Sequence, residues 1–370
     1  MRTIKEYLKY LFILVGALVR PKNNNVLVSM LSKSDTNGPG RFIKNLSDGL
    51  TNTSDIKIIR NPFKGFHAIL IISNMPPLIF KIFNKLGVKT ILRVDGFSYP
   101  DLYDNLNDVE SIRRRHPRDF SLYRMRTNFQ IQTSLKLADY IIYQSQFSRQ
   151  VSNKWLCNRE NNYSIIYNGV NTQLFQPIEA INKKKCIVSV HGNLRDPDII
   201  ICCLEVFGKL SSILGNQQLI LRIIGSLTED VAEIVFKEKE KKVINLEVTG
   251  SVSPKTLSTI LPESTLSLHL TSSDACPNSV LESLASGVPV VCQHFGGQSE
   301  LVGNAGIVIN TGVEYDYSEQ MVELAVEACK DIMNDVTGYS LKARQRAEIN
   351  FSIEKMSQQY SSILCRETIA

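Results

Sequence analysis

Apolar segments of strand length alternate with segments of helical periodicity along the whole chain, and the alternation occurs twice. In the first half, the apolar runs lie at 25–31, 56–59, 68–73, 90–95, 140–145 and 164–169. In the second half, they lie at 186–192, 219–225, 245–250, 266–271, 288–293 and 306–310. Strands that are apolar throughout are typical of parallel sheets covered by helices on both faces. The sequence therefore predicts an α/β protein with two doubly wound, Rossmann-like domains facing each other across a cleft.

A polar, proline-containing stretch near residues 168–185 separates the two halves. A chain of 370 residues is also too long for one typical hydrophobic core. We therefore predict an N-terminal extension over 1–24, a first domain over 25–180 and a second domain over 181–350, followed by a C-terminal helix over 351–370.

Cysteine and histidine usage argues against a metal centre. The eight cysteines contain no C-x-x-C pair, and none of the five histidines has metal-ligand spacing to another. The expected state is free thiols in a reducing compartment, with no dedicated zinc site. The first half also lacks a full G-x-G-x-x-G fingerprint followed by an acidic residue, which a nicotinamide-dependent dehydrogenase would need. We expect no cofactor.

The positive charge is concentrated in the first half of the chain. Residues 1–180 carry 25 Lys and Arg against 13 Asp and Glu, a net +12, and the remaining 17 against 23 give −6. Six arginines of the first half lie within residues 113–126. Such a cluster is a solvated face, a nucleic-acid contact or a contact with anionic lipid or phosphate. No nucleic-acid-binding module accompanies it, which ranks lipid or phosphate above nucleic acid.

The N-terminal segment 7–19 is apolar apart from Lys9 and has basic residues on both sides. Its thirteen residues are too few to span a bilayer, which takes roughly 20. The sequence after it offers a poor signal-peptide cleavage site. Two interpretations remain: a helix lying in a membrane interface, or a helix packed on the first domain.

A pair of carboxylates marks the strand–loop–helix–strand unit at residues 266–293. Asp274 follows an apolar strand, and Glu282 lies eight positions later within a segment of helical periodicity. Pro277 suits the start of that helix and Gly287 its end. Ligands of open α/β sheets bind outside the carboxyl ends of the strands, so Asp274 is expected at a binding crevice, with Glu282 behind it.

A second candidate for anion binding follows the first strand. Gly38 and Gly40 lie in a predicted loop before a helix, where glycine lets backbone N–H groups approach an anion at the helix N-terminus. By itself this pattern has low specificity, because many loops contain two glycines.

These segments, taken in order, resemble the retaining glycosyltransferases of family 4, which have the two-domain B-type fold. The resemblance covers nearly the whole chain, and its most specific part is "SSDACPNSVLESLASGVPVV" followed by "GGQSELVGNAGIVI". "NGPGRFIKNL" resembles the family's glycine-rich loop, and "TGSVSPKTLSTILPES" its nucleobase-side segment. Residues 351–370 resemble its terminal helix, which returns to the first domain.

The resemblance implies roles for individual residues. Glu282 corresponds to the carboxylate that hydrogen-bonds the donor ribose, and Asp274 to the one that faces the transferred sugar and its phosphate. Asp95, in "LRVDGFSYP", is a candidate for binding the acceptor hydroxyl, although a simple turn explains Asp95–Gly96 equally well. The further donor-binding candidates are Gly38, Gly40, Arg195, Gly250, Pro277, Asn278, Ser279 and Val280.

Three departures from the family pattern weaken this transfer of roles. Asp274 stands where the family commonly has Glu. The family places Arg and Lys where this chain has Asn193 and Asp198, and Asp198 would repel a diphosphate. Arg195 lies between them and is the candidate replacement. The Asp196-Pro-Asp198 match to a metal-binding D-x-D is treated as chance.

Two functions from different classes follow. The first is a glycosyltransferase that moves a sugar from a nucleotide-diphosphate donor to a glycan or lipid-linked acceptor, in surface polysaccharide or glycolipid assembly. It would be cytoplasmic, with a possible peripheral contact with an anionic membrane and no nucleic-acid partner. The second is a glycosyltransferase-like protein that binds nucleotide sugar, glycan or a partner without turnover, which Asn193 and Asp198 suggest.

Overall fold

The computed structural model describes residues 4–19, 24–29, 38–51, 56–96, 122–178, 186–215, 219–241 and 244–369. The chain divides into two units, 1–169 with 353–370, and 170–352. The division falls earlier than the expected position between 180 and 181, because the described residues after 169 pack within the second unit. Arg344, for example, donates hydrogen bonds to the carbonyls of Thr172 (3.0 Å) and Phe175 (2.7 Å).

The described part of the first unit contains one parallel sheet of six strands, in the order β2-β1-β3-β4-β5-β6. The strands are β1 (Asn24–Ser29), β2 (Ile56–Ile59), β3 (Ala68–Ile72), β4 (Lys89–Val94), β5 (Tyr140–Tyr143) and β6 (Tyr163–Ile165). Every residue of β3 and β5 is buried, as expected for central strands covered on both faces.

Helices cover both faces of this sheet. They are α1 (Ile4–Ala17), α2 (Gly38–Thr51), α3 (Pro77–Leu86), α4 (Leu122–Leu137) and α5 (Gln146–Trp155). Helix α3 shows why the boundaries fall where they do. Pro77 begins it at a position that needs no N–H, and Gly87 ends it in the left-handed region with φ of 70°.

A helix from the end of the chain completes the first unit. This helix, α13 (Ile353–Ile369), packs on α2 and the neighbouring strands. Tyr360 of α13 is fully buried, and its ring lies 5.3 Å from that of Phe42 in α2. The terminal helix is thus part of the first unit.

The second unit contains another parallel sheet of six strands, in the order β12-β11-β10-β7-β8-β9. The strands are β7 (Cys186–Leu194), β8 (Leu219–Leu227), β9 (Leu246–Gly250), β10 (Leu266–His269), β11 (Val290–Gln293) and β12 (Gly306–Ile309). The order reverses between β7 and β10, so the loops that follow these two strands start from neighbouring positions at one edge of the sheet.

Helices also flank the second sheet. They are α6 (Pro197–Leu214), α7 (Glu229–Lys241), α8 (Pro254–Ile260), α9 (Asn278–Ala285), α10 (Gln298–Val302), α11 (Glu319–Asn334) and α12 (Val336–Asn350). The core lies between the sheet and the apolar faces of α6, α7 and α11. Two doubly wound parallel sheets confirm the predicted fold class.

Among the described residues, no helix is both long enough and apolar enough to cross a bilayer. Helix α1 has two kinds of apolar side chain. Tyr10 and Ile13 are buried in the core of the first unit. Leu11, Phe12 and Val15 are 54%, 46% and 43% exposed. The helix therefore packs on the first unit and also presents an apolar outer surface.

Candidate functional site

Asp274 lies in the loop between β10 and α9, and hydrogen bonds fix the backbone of this loop. Ser273 adopts a left-handed conformation with φ of 66°, which is uncommon outside glycine. Its N–H donates to the carbonyl of Phe295 (3.0 Å), and the Gly297 N–H donates to the carbonyl of Asp274 (2.7 Å). The Cys276 N–H donates to Oδ1 of Asp274 (3.0 Å). The carboxyl group is therefore held at the carboxyl end of β10, as the sequence predicted.

The Asp274 side chain is exposed, although protein atoms surround it on several sides. Partial loss of hydration raises the pKa of its carboxyl group, and the hydrogen bond from the Cys276 N–H opposes that rise. Because water reaches the Asp274 carboxylate, the group keeps much of its hydration despite the protein atoms around it. Asp274 is thus an accessible acidic group at the edge of the sheet.

Glu282 lies one turn inside α9 and is buried. Its side chain is only 11% exposed, and its Oε2 atom is 3.7 Å from Nε2 of His191 in β7. A buried carboxylate is costly unless hydrogen-bond donors or positive charge compensate it. A carboxylate in this position is suited to accepting hydrogen bonds from the hydroxyl groups of a ligand.

The start of α9 lies between these two carboxylates in the chain. Pro277 is the residue before the first turn, and no side chain caps the helix there. Asn278, Ser279 and Val280 form the first turn, whose N–H groups point out of the helix end. Backbone N–H groups and the helix dipole at such a position favour an anion, such as a phosphate group.

Two histidines near the start of α9 were not part of the sequence interpretation: His191, beside Glu282, and His269, beside Ser279. The side chain of His191 is 3% exposed, and neither of its ring nitrogens has a hydrogen-bond partner. His269 of β10 has its Nδ1 3.3 Å from Oγ of Ser279. Burial and the nearby His191 lower the pKa of His269 to about 3, so its ring is neutral at pH 7.

The residues that stand where the family pattern has cations lie at the end of β7 and the start of α6. Asn193 accepts a hydrogen bond at Oδ1 from Ser226 Oγ (2.7 Å). Asp198 is in the first turn of α6, and Asp196 caps that helix by accepting a hydrogen bond from the Asp198 N–H (3.0 Å). A carboxylate is favourable at a helix N-terminus, so Asp198 has a structural reason to be acidic. Arg195 is exposed between them.

Glycines at the same edge of the sheet let neighbouring backbone segments approach each other closely. Gly225 has φ of 138°, and a Cβ atom there would lie 1.9 Å from the carbonyl oxygen of Gly192. A Cβ atom on Gly192 would lie 3.9 Å from Cβ of Ser279, so β7 ends against the first turn of α9. The remaining candidate, Gly250, ends β9 with φ of 68°.

The glycine candidates of the first unit lie inside a helix. Helix α2 begins at Gly38, so Gly38 and Gly40 are both in its first turn and not in the loop before it. This corrects the predicted position. Residues 30–37, which precede this helix, lie outside the described residues. A helix N-terminus at the carboxyl end of β1 remains a suitable place for an anion.

Asp95 follows β4 and belongs to a buried polar network in the first unit. Arg93 Nη1 donates to Oδ1 of Asp95, and Arg93 Nη2 donates to Oε1 of Gln144 (2.7 Å) and Oδ1 of Asn168 (2.8 Å). Gln144 Nε2 also donates to Oδ1 of Asp95 (3.1 Å), and Ser73 Oγ donates to its Oδ2 (3.3 Å). The carboxylate is fixed more firmly than in a simple turn.

The arginine cluster at 113–126 lies outside the residues whose side chains are described. Within the described parts of the chain, no group of three or more His, Cys, Asp or Glu residues could hold a metal ion.

The second unit matches a known protein family almost from end to end. Residues 171–349 match the family model described as glycosyl transferases group 1. The chain carries a glycosyl transferases group 1 domain. The carboxylates Asp274 and Glu282 and the start of α9 all lie within it. No curated protein matches the sequence of this chain significantly.

Solved structures show the fold of the whole chain. A sucrose-phosphate synthase from Thermosynechococcus elongatus has a TM-score of 0.68 at 14% identity, over 93% of this chain and 99% of that one. A glycosyltransferase from Rickettsia africae has a TM-score of 0.67 at 13% identity, over 94% and 99%. Anabaena HepE in complex with UDP has a TM-score of 0.65 at 13% identity, over 93% and 100%. The likeness shows that this chain has the GT-B fold.

Proposed function

We propose that the protein is a retaining glycosyltransferase of the family 4 type, which moves a hexosyl group from a nucleotide-diphosphate sugar to a glycan or a lipid-linked acceptor. The observation that carries this proposal is the geometry around α9. A buried carboxylate, Glu282, and an exposed one, Asp274, lie on the two sides of a helix start that favours phosphate.

In this proposal, each feature of the second unit has one task. Glu282 accepts hydrogen bonds from the ribose hydroxyl groups of the donor. The N–H groups from Cys276 to Val280 bind the diphosphate, and Arg195 supplies positive charge as the glycosidic bond breaks. Asp274 faces the transferred sugar. Gly250 lies on the nucleobase side.

The bond changes of the transfer need no protein base. The acceptor oxygen attacks the anomeric carbon on the same face from which the diphosphate leaves. The leaving phosphate oxygen takes the proton of the acceptor hydroxyl, so retention and charge balance follow together. Asp95 binds the acceptor hydroxyl and orients it, a task that suits a carboxylate already held by Arg93. The proposed reaction requires no metal ion or other cofactor.

The comparisons support the donor class. Anabaena HepE has been solved in complex with UDP and with UDP-glucose, and its fold is that of this chain. We infer a nucleotide sugar as the partner of the second unit. For the glycine-containing start of α2, with Gly38 and Gly40, we propose a role in binding phosphate.

We also propose where the enzyme works. The exposed apolar side chains of α1 and the net +12 charge of residues 1–180 suit reversible binding to an anionic membrane from the cytoplasmic side. A lipid-linked acceptor is available at such a surface. Surface polysaccharide or glycolipid assembly is the process that uses acceptors of this kind.

Hydrolysis of donors tests the proposal without knowledge of the acceptor. The purified protein is incubated with a panel of UDP-, GDP-, ADP- and CDP-sugars, and the released nucleoside diphosphate is measured. We expect slow release from one donor class. Binding without any release, with or without candidate acceptors, would favour the binding protein that Asn193 and Asp198 suggest.

A further inference from the structure

His191 lies beside the proposed ribose-binding carboxylate and His269 beside the first turn of α9, and the reaction described above uses neither. The three ring nitrogens without a hydrogen-bond partner are His191 Nδ1, His191 Nε2 and His269 Nε2. A buried polar group without a partner is costly and therefore needs an explanation. The position of His191 next to Glu282 suggests that the explanation is the binding site.

The two histidines differ in what they can offer. His269 is neutral at pH 7, because burial and the neighbouring His191 lower its pKa to about 3. Its Nδ1 is 3.3 Å from Oγ of Ser279, in the first turn of α9. His269 is thus a neutral hydrogen-bonding partner for the start of the helix. His191 instead directs Nε2 toward the carboxylate, 3.7 Å from Oε2 of Glu282.

We propose that His191 is a positioning residue for Glu282. Its Nε2–H donates a hydrogen bond to Oε2 and fixes the carboxylate so that it accepts hydrogen bonds from both ribose hydroxyl groups. The present separation of 3.7 Å is longer than a hydrogen bond. Hydrogen bonds of functional sites are often long before the ligand binds and tighten when it does. This inference rests on the proposed donor site.

The surrounding backbone holds His191 and Glu282 in fixed positions. His191 is on β7, and the next residue, Gly192, lies against the first turn of α9, with 3.9 Å between a Cβ at Gly192 and Cβ of Ser279. Strand β7 pairs with β8 across its whole length, including His191 with Ile224. A rigid strand therefore holds the imidazole, and a short buried helix holds the carboxylate.

The test uses isothermal titration calorimetry with UDP, ADP, GDP and CDP on the full chain. The nucleoside diphosphate that binds best is then compared with its 2′,3′-dideoxy analogue, which lacks both ribose hydroxyl groups. We expect His191→Leu to weaken binding of the complete nucleotide about tenfold and to leave the affinity for the dideoxy analogue unchanged. A general loss of structure would weaken both.

Two amide variants keep the test valid if His191→Leu does not fold. In His191→Gln, an amide N–H takes the place of Nε2–H, and binding should stay within about threefold of the wild type. In His191→Asn, the amide is too short to reach Glu282, and binding should fall as in the leucine variant. Val235→Ala, in the buried face of α7, controls for lower stability alone and should change neither affinity.

Equal weakening of the complete and the dideoxy nucleotide would overturn the positioning role, as would equal affinities in the Gln and Asn variants. Failure of all four nucleoside diphosphates to bind the wild-type protein would instead overturn the proposed function, and the positioning role with it. The two failures are therefore distinguishable.

Discussion

Glu282 is a buried carboxylate, and burial of a carboxylate costs free energy unless hydrogen-bond donors or positive charge compensate it. A hydrogen bond that involves a charged group contributes about 1.5–3 kcal/mol. If Glu282 binds the ribose, Glu282→Gln should weaken binding of the nucleoside diphosphate tenfold to a hundredfold and leave the fold intact. Calorimetry measures this directly. Glu229→Gln removes the same charge from an exposed position in the same unit and should have no effect. An unchanged affinity in Glu282→Gln would remove Glu282 from the site.

Arg195 is the basic residue in the loop between β7 and α6. It lies between Asn193 and Asp198, the two positions at which the family pattern has cations. Its task in the proposal is to neutralise the diphosphate, so its effect should depend on the phosphates. We expect Arg195→Ala to weaken the nucleoside diphosphate several-fold more than the free nucleoside, and Arg195→Lys to recover part of the loss. Equal losses for both ligands would show that Arg195 acts on the structure.

The site residues that could be predicted from the sequence lie close together in the chain, whereas those that could not be predicted lie far apart in it. Asp274 and Glu282 could be placed because a strand, a proline and a helical period surround them within one short segment. His191 is far from Glu282 in the chain, and Arg93 reaches Asn168 across 75 positions. Only the folded sheet brings such residues together, so no local sequence pattern predicts their contacts. The one signal was a polar residue near the carboxyl end of an apolar strand.

At the level of the elements, the apolar runs placed the twelve strands found among the described residues, because a strand buried on both faces leaves few polar residues in its sequence. Helix boundaries were less reliable. Gly38 and Gly40 indicated a loop because glycine is a poor helix former, yet α2 begins at Gly38. The first turn of a helix tolerates Pro39 between them, since its N–H needs no partner there.

Helix α13 shows how much one element contributes to the first unit. Tyr360 is fully buried between α13 and α2, and truncation of a buried aromatic side chain costs about 3–5 kcal/mol. We expect Tyr360→Ala to lower the free energy of unfolding of the first unit by that amount, and Tyr360→Phe to retain most of it. Urea unfolding, monitored by hydrogen exchange in peptides of α2, measures the free energy of unfolding of both variants. Equal stability of the Ala variant and the wild type would contradict this packing.

For the molecule as a whole, the asymmetric charge and α1 together predict binding to anionic membranes. Each basic residue near an anionic leaflet contributes about 1 kcal/mol, and the effect decays within about 10 Å. The protein should pellet with vesicles of phosphatidylcholine and phosphatidylglycerol at low salt, and much less with phosphatidylcholine alone. High salt should release it. Equal, negligible pelleting with both vesicle types would rule out the docking and favour a soluble acceptor.

Substitutions test the role of α1 better than a deletion would. Removing residues 1–20 would also remove Tyr10 and Ile13 from the core and destabilise the first unit. Phe12→Glu and Val15→Glu change only exposed side chains and should abolish the pelleting. Leu214→Glu, at a 51% exposed position of the second unit, is the matched control and should pellet like the wild type.

The central claim is that this chain transfers a sugar with retention of its anomeric configuration. The most direct measurement is proton NMR of the sugar released from an α-linked nucleotide donor, recorded before mutarotation. The anomeric proton should first appear as the α form, and its rate of appearance should fall strongly in Glu282→Gln. Release of the β form would contradict retention. Absence of any released or transferred sugar, across all donors, would contradict the assignment as an active glycosyltransferase.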